Sequence, residues 1–375
     1  MIMAGGQGTR LRPLTSNQPK PMIGIAGTPC MEHIINLLRR HGFTEIVATV
    51  EFLSEEIREY FGDGADWGVN ISYSVEEEPL GTAGSVKYTE DRLGERFVII
   101  SGDALTDADL SEIVASHEER GAEATLVLKE VDDPSEFGIV VLDDEGRVTR
   151  FLEKPDPDEA FSNTANTGIY VLEPSILEEV PAGEEYDFAK HLFPRLLDDG
   201  RAIYGYVTDG YWEDIGNIEQ YLGAQRAALD GEISGLEIPG RRVRDGVYVG
   251  EGTEVEDDSI EPPVVLGDGV RVASGARIGP HTVVAAGVEV AEGASVARST
   301  VDERTKVGEG AELDGALVMK DCVIGPRARL LEGSALGDGA EIEADATVSS
   351  GVGVYPDEIV EEGERVTEDV GDDDD

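Results

Sequence analysis

The chain has 375 residues, enough for two domains each with its own core. Its 79 acidic residues against 30 basic ones give a formal net charge of −49, which argues against nucleic acid or an anionic membrane as partner, since both call for a basic surface. With 40% hydrophobic residues in periodic runs it does not read as disordered, and acid spread over both halves fits a halophilic cytoplasmic protein whose self-repulsion is screened at about 1 M salt, where the Debye length is about 3 Å.

Only Met1, Ile2 and Met3 precede a glycine-rich run, although a central strand takes about five or six residues, so a weak first strand and an upstream start are expected. The run reads Ala4-Gly-Gly-Gln-Gly-Thr-Arg10 and continues to Lys20-Pro-Met22. Gly5, Gly6 and Gly8 permit positive φ and close approach of backbone N–H groups to phosphate oxygens, while Arg10 and Lys20 supply countercharge, so the run is suited to a triphosphate. It matches neither the Walker pattern nor a dinucleotide fingerprint. In so acidic a chain Arg10, Arg12, Lys20, Lys87 and Lys154 stand out as candidate phosphate contacts.

Further along, strand and helix alternate up to about residue 229. Val-, Ile- and Tyr-rich runs predict strands over 45–50, 71–75, 97–101, 124–129, 138–142, 168–172 and 203–207. Apolar residues at helical spacing predict a helix containing Met31, Ile34, Ile35 and Leu38, and others over 53–61, 83–93, 110–120, 187–197 and 218–229. That alternation is an α/β domain with a mainly parallel sheet, assigned to residues 1–229.

Residues 230–245 read as a linker, and from 246 to 356 a six-residue rhythm takes over. Leu266, Val272, Ile278, Val284, Val290 and Val296 are spaced by six, and after an irregular stretch Leu330, Leu336, Ile342, Val348 and Val354 resume the pattern. An aliphatic residue at every sixth position with a small neighbour is the hexapeptide signature of a parallel β-helix. Residues 357–375 read as an acidic tail whose last residues are disordered. Cys30 and Cys322 make no metal-ligand spacing and are expected to be buried, and no signal peptide or long apolar run is present.

Two carboxylates are placed for chemistry. Asp103 follows the buried run Phe97–Ser101, where open α/β sheets present ligands, and Asp214 lies in Trp212-Glu-Asp-Ile-Gly-Asn217 just before a helix. Taken singly, Asp103 also suits a turn cap and Asp214 the first turn of that helix. Glu153 and Lys154 would by default be an exposed charged pair, and Glu76-Glu-Glu before Gly81-Thr-Ala-Gly84 either an acidic surface run or a base-reading element on a turn that admits a flat ring.

The string Gly-Gly-x-Gly-Thr-Arg-Leu followed by Lys-Pro-Met resembles the opening of the sugar-1-phosphate nucleotidylyltransferases, or nucleotide-sugar pyrophosphorylases, and the later motifs extend the resemblance over nearly the whole chain. It implies a Rossmann-like nucleotidyltransferase domain followed by a left-handed β-helix. In the same terms Asp103 and Asp214 would hold Mg²⁺, with Arg10 and Lys20 as the catalytic cations. Ala4, Gly5, Gly6, Gly8, Thr9, Glu76 and Gly81 would bind the nucleotide, and Glu153, Lys154, Asn166 and Gly168 the sugar phosphate. Glu76-Glu-Glu-Pro-Leu-Gly-Thr-Ala-Gly84 and Tyr211-Trp-Glu-Asp-Ile-Gly-Asn217 look most like the mannose-1-phosphate guanylyltransferase branch. GTP and mannose 1-phosphate are the expected substrates, with glucose-1-phosphate thymidylyl or uridylyl transfer as the alternative. Two other readings stay open: a bifunctional nucleotidyl/acyltransferase with His281 as base, and a regulatory subunit without turnover. A homo-oligomer assembled through the β-helix is also expected.

Overall fold

The computed structural model describes residues 1–371 apart from Gln7, Phe52, Glu77 and 156–158. It divides into two compact units, Met1–Gly6 with Ile34–Asp214, and Gln7–His33 with Ile215–Asp375. The chain leaves the first unit inside the glycine-rich run and returns to it within a helix, Cys30–Arg40.

The first unit is built, among the described residues, on a nine-stranded mixed sheet. Its parallel part runs from Phe97–Ser101 through Ile2–Ala4 and Glu45–Val50 to Asn70–Val75, and Phe97–Ser101 and Glu45–Val50 are buried almost throughout, as in strands covered on both faces. The opening strand is three residues long, as the short lead predicts, yet it pairs on both sides, with Ala4 opposite Val50 and Met3 opposite Ser101. Thr164–Leu172 then turns the sheet antiparallel, pairing with Phe97–Ser101, Ala124–Glu130 and Gly138–Leu142. Phe188, Phe193, Leu192, Leu126 and Ile99 fill the core beneath it. A separate two-stranded antiparallel ribbon, Ala104–Thr106 with Trp212–Asp214, lies outside the main sheet and was not foreseen from the sequence.

The second unit contains a three-sheet parallel β-helix consistent with the left-handed form. Its coils are 18 residues where Val265 pairs with Val283, and 17 where Val283 pairs with Thr300 and Thr300 with Leu317. The irregular stretch of the rhythm is therefore two five-residue steps, Val296 to Val301 and Leu313 to Val318, in an otherwise unbroken buried column. Two expected boundaries shift. Arg241–Arg244, placed in the linker, pairs antiparallel with Val247–Val249. The expected acidic tail instead carries strands Ile359–Val360 and Arg365–Val366, with Val360 and Val366 buried, because acid occupies only the outward positions of coils whose inward positions stay aliphatic. The expectation for residues 372–375 lies outside the described residues.

Candidate active site

In the first unit the parallel strands deliver their following residues to one edge. Gly5 and Gly6 follow Ile2–Ala4, Glu51 follows Glu45–Val50, Glu76 follows Asn70–Val75, and Asp103 comes two residues after Phe97–Ser101. This is the carboxyl edge at which open α/β sheets bind ligands. A β-carbon on Gly5 would lie 3.7 Å from Glu51 Oε2, so loop and carboxylate are neighbours. Glu51 is the residue that sequence reasoning missed; its signal was its place directly after a buried strand, as with Asp103.

The two-stranded ribbon sets Asp214 opposite Ala104, one position from Asp103. Asp214 is thus a strand residue and not part of the helix, whose cap is Asn217, accepting from Gln220 N–H at 2.9 Å. The Asp103 carboxylate accepts from the Ser101 hydroxyl. Trp212 anchors the ribbon, its Nε1–H donating to Thr167 O at 3.2 Å and its ring meeting Phe137 edge-on. Among the described residues no group of three or more His, Cys, Asp or Glu could hold a metal. A pair of hard carboxylate oxygens nevertheless suits Mg²⁺, which takes one or two carboxylates and leaves its other positions to phosphate and water.

Glu76 is half-buried. Desolvation holds its carboxyl above the usual range, partly offset by hydrogen bonds from Ser85 and the Leu80 backbone, and the Glu51 charge pushes it further up. The motif after it already belongs to the helix, Gly81–Tyr88, which starts two residues before the expected 83 and ends at Tyr88. Its first donors are already used: Thr82 N–H reaches Asp187 Oδ1 at 3.2 Å, and Ala83 and Gly84 N–H reach Tyr186 O at 2.8 and 2.9 Å. A β-carbon on Gly81, at φ +69°, would sit 2.9 Å from Tyr186 O, so this glycine has a packing reason of its own.

Glu153 ends the strand Val148–Glu153 opposite Gly138, and a β-carbon on Gly138 would strike Glu153 Oε2 and approach Asn166. Glu153 and Asn166 are therefore brought together. Burial raises the Glu153 carboxyl, against Lys154 and Lys190, with Asp187 adding to the rise. Lys154 is exposed and held at φ +43°, its N–H on Phe137 O at 3.1 Å. Asn166 donates to the Tyr170 hydroxyl at 2.9 Å, and Gly168, at φ +75°, forms the irregularity between Asn166 and Tyr170. Lys87, its side chain 17% exposed, pairs with Glu90 at 2.7 Å.

The remaining candidates belong to the second unit. Gly8, at φ +63°, precedes a 3₁₀ turn Thr9–Leu11 and is packed so that a β-carbon would lie 3.1 Å from Thr15 Cγ2 and 3.2 Å from Lys20 Cβ. Thr15 donates to Gly8 O at 2.8 Å, folding the run back on Lys20. The Arg10 guanidinium lies beside Gly216, where a β-carbon would be 3.4 Å from Nη2. His281 is engaged with Asp230 at 2.8 Å, tying a coil corner to the end of the helix Ile218–Asp230. Its coil keeps the common length, so the longer loop an acyltransferase would need is not seen among the described residues.

The α/β sheet presents carboxylates at its carboxyl edge, and the chain also carries a glycine-rich run with Arg10 and Lys20. Comparison makes the class definite. Residues 1–231 match the family model described as nucleotidyl transferase, and residues 243–368 match the GMPPB C-terminal domain. The chain is 41% identical over 349 residues to a UTP–glucose-1-phosphate uridylyltransferase of Synechocystis, covering 88% of this chain and 85% of that one. It is 34% identical over 284 residues to a mannose-1-phosphate guanylyltransferase of Mycobacterium tuberculosis, covering 75% and 77%. A solved structure of a glucose-1-phosphate thymidylyltransferase from Bacillus anthracis superposes with a TM-score of 0.56 at 26% identity, over 60% of this chain and 93% of that one. The chain belongs to the nucleotidyl transferase family. No helix among the described residues is long and apolar enough to cross a membrane.

Proposed function

We propose that the protein transfers the nucleotidyl group of GTP to mannose 1-phosphate, releasing pyrophosphate, in a salt-rich cytoplasm. The nucleophile is a phosphate oxygen of the sugar 1-phosphate, ionised at neutral pH, so no general base is needed. It attacks the α-phosphorus in line; the new O–P bond forms as the bond to the departing pyrophosphate breaks. The work of the protein is alignment and charge neutralisation. Arg10 faces the departing pyrophosphate and Lys20 the reacting phosphates, while Ala4, Gly5, Gly6, Gly8 and Thr9 offer backbone to the triphosphate. Asp103 and Asp214 would hold Mg²⁺, which when bound supplies countercharge to phosphate oxygens. Glu153 and Asn166 hold sugar hydroxyls, and Lys154 the sugar phosphate.

The observation that supports this reading most is the register of the two-stranded ribbon, which pairs Asp214 with Ala104, the residue after Asp103. For the base, Glu76 is the deciding group: an ionised carboxylate accepts the adjacent N1–H and N2 donors of guanine, whereas thymine and uracil present one donor between two carbonyls. Gly81 opens the helix beside it. The 41% identity to a uridylyltransferase favours a second reading, UTP with glucose 1-phosphate. Pyrophosphate release by the purified protein in high salt, over a panel of triphosphates and sugar 1-phosphates, separates the two. A homo-oligomer formed through the β-helix is part of the proposal and is checked by light scattering in the same salt.

A further inference from the structure

The three faces of the β-helix are not alike. On two of them the outward ladders are open to solvent and mostly charged: Arg271, Glu289, Lys306, Val323, Glu341 and Ile359 are all exposed, and Arg277, Glu312, Arg329 and Arg365 are exposed on the next face. The third outward ladder runs Val265, Val283, Thr300, Leu317, Ala335, Gly353, and every member but Thr300 is buried. An outward column that is apolar and dry is a packing surface.

What lies on it includes the stretch that carries Arg10 and Lys20. A β-carbon on Gly353 would come within 3.2 Å of Pro13 Cδ, and one on Gly27 within 3.6 Å of Val265 Cγ1. Between these contacts, at Thr300, sits a buried polar junction. Gln225, 4% exposed on the helix Ile218–Asp230, accepts the Ala26 N–H at 2.7 Å through Oε1. Its Nε2 donates to Gly24 O at 3.1 Å and to Thr300 Oγ1 at 3.0 Å, with the Tyr221 hydroxyl at 2.8 Å. The Tyr221 hydroxyl donates to Gly24 O at 2.8 Å.

Gly24 and Ala26 belong to a hairpin, Gly24–Ile25 with Thr28–Pro29, whose turn forces Ala26 to φ +50°, unfavourable for a residue with a β-carbon. That hairpin is the immediate continuation of the Lys20 turn: Ile23 N–H bonds to Lys20 O at 3.1 Å, and Cys30 N–H to Ile23 O at 2.9 Å. The same helix reaches toward the other cation: Gln220 Oε1 accepts the Gly216 N–H at 2.9 Å, and Gly216 lies beside the Arg10 guanidinium.

We propose that Gln225 is a positioning residue for nucleotidyl transfer, through which the β-helix fixes the segment carrying Lys20 by way of Thr300. The proposal rests on the reading of Arg10 and Lys20 as triphosphate contacts. On it, the β-helix is a brace for the nucleotide site as well as an assembly module, and its effect falls on the triphosphate rather than on the sugar phosphate.

Two substitutions that conserve shape test this in the full-length protein: Gln225→Met, which removes every bond Gln225 makes and leaves Tyr221 on Gly24, and Thr300→Val, which removes only the β-helix partner. A net hydrogen bond contributes about 1 kcal/mol, so Thr300→Val is expected to raise the KM for the triphosphate about fivefold and Gln225→Met tenfold or more, with the KM for the sugar 1-phosphate within twofold of the wild type. Amide exchange in residues 15–30 should speed up in both, while exchange in residues 97–101 does not change. A merely structural role would lower kcat together with the folded fraction and leave both KM values in place, and that result overturns the proposal. So does an unchanged exchange rate in residues 15–30. If the wild-type protein transfers no nucleotide, the functional reading fails instead, and the inference falls with it.

Discussion

The carboxylates and the cations assigned to the phosphates are held by different kinds of structure. Asp214 ends a two-stranded ribbon opposite Ala104, and Asp103 immediately precedes that partner strand, so both are tied to a backbone ladder and the Trp212 anchor. Arg10 and Lys20 sit in irregular chain with 3₁₀ turns at Thr9–Leu11 and Lys20–Met22, and that chain is held by side chains: Thr15, Tyr221 and Gln225, the last of these bonded in turn to Thr300 on the β-helix. A ladder carries its own rigidity. A loop borrows it, which makes the cation half of the machinery sensitive to substitutions far along the sequence.

The largest effect should fall on the carboxylate half. Asp103→Asn or Asp214→Asn should each lower turnover by several orders of magnitude with little change in melting temperature, because each removes a charge from a site that works by charge neutralisation. Near-normal pyrophosphate release in either variant would break that half of the comparison.

The supporting face can be weighed against an open one. Leu317→Asp puts a carboxylate into the buried ladder and should cost about 3 kcal/mol or more, whereas Val323→Asp, at an exposed rung, should stay within about 0.5 kcal/mol. Denaturant titration in concentrated salt reads both, and equal losses would show that the two faces do not differ in the way described.

Glu76→Gln sharpens the account at the base. An amide in place of the carboxylate should erode the preference for GTP and admit pyrimidine triphosphates by at least tenfold relative to the wild type, seen as the ratio of kcat/KM values. Since burial holds the Glu76 carboxyl above the usual range, the wild-type preference should also fade on acidification at a higher pH than an exposed carboxylate would give. An unaltered ratio in the variant would return Glu76 to the acidic surface.

The smallest effect concerns Asp302, buried near Lys320 and Asp338 on the β-helix. Burial raises its carboxyl above the usual value, so the folded protein keeps a proton that the unfolded chain has already lost. Stability from this group is therefore highest below about pH 4 and declines as pH rises to the folded value, above which the penalty is constant. Asp302→Asn should melt slightly higher than the wild type at pH 7, with the gap closing near pH 4. A lower melting point at pH 7 would mean that the ionised carboxylate is favourably held.

Much of this was legible because the relevant physics is periodic or local. Predicted and observed strands share their bounds at Glu45–Val50, Phe97–Ser101, Gly138–Leu142 and Ile203–Val207, where β-branched runs end in turn residues. The inward column of the β-helix declares itself at every sixth residue. What escaped notice was set by long-range pairing: Trp212–Asp214 is three residues long and is a strand only because Ala104–Thr106 lies beside it. Acid concealed the last coils, since the outward Glu and Asp of 357–371 dominate the composition while the single inward valines carry the fold. Glu51 was passed over among many glutamates, and Gln225 gave no signal at all, because its partners lie up to 201 positions away in the sequence.

The most direct measurement is pyrophosphate release from the full-length protein in concentrated KCl with Mg²⁺, pairing GTP, UTP, dTTP, CTP and ATP with mannose 1-phosphate and glucose 1-phosphate. The account predicts turnover with GTP and mannose 1-phosphate at a kcat/KM at least tenfold above any pyrimidine pairing. Preferred turnover of UTP with glucose 1-phosphate would contradict the assignment of the base and the sugar, and no release from any pairing would contradict the assigned reaction itself.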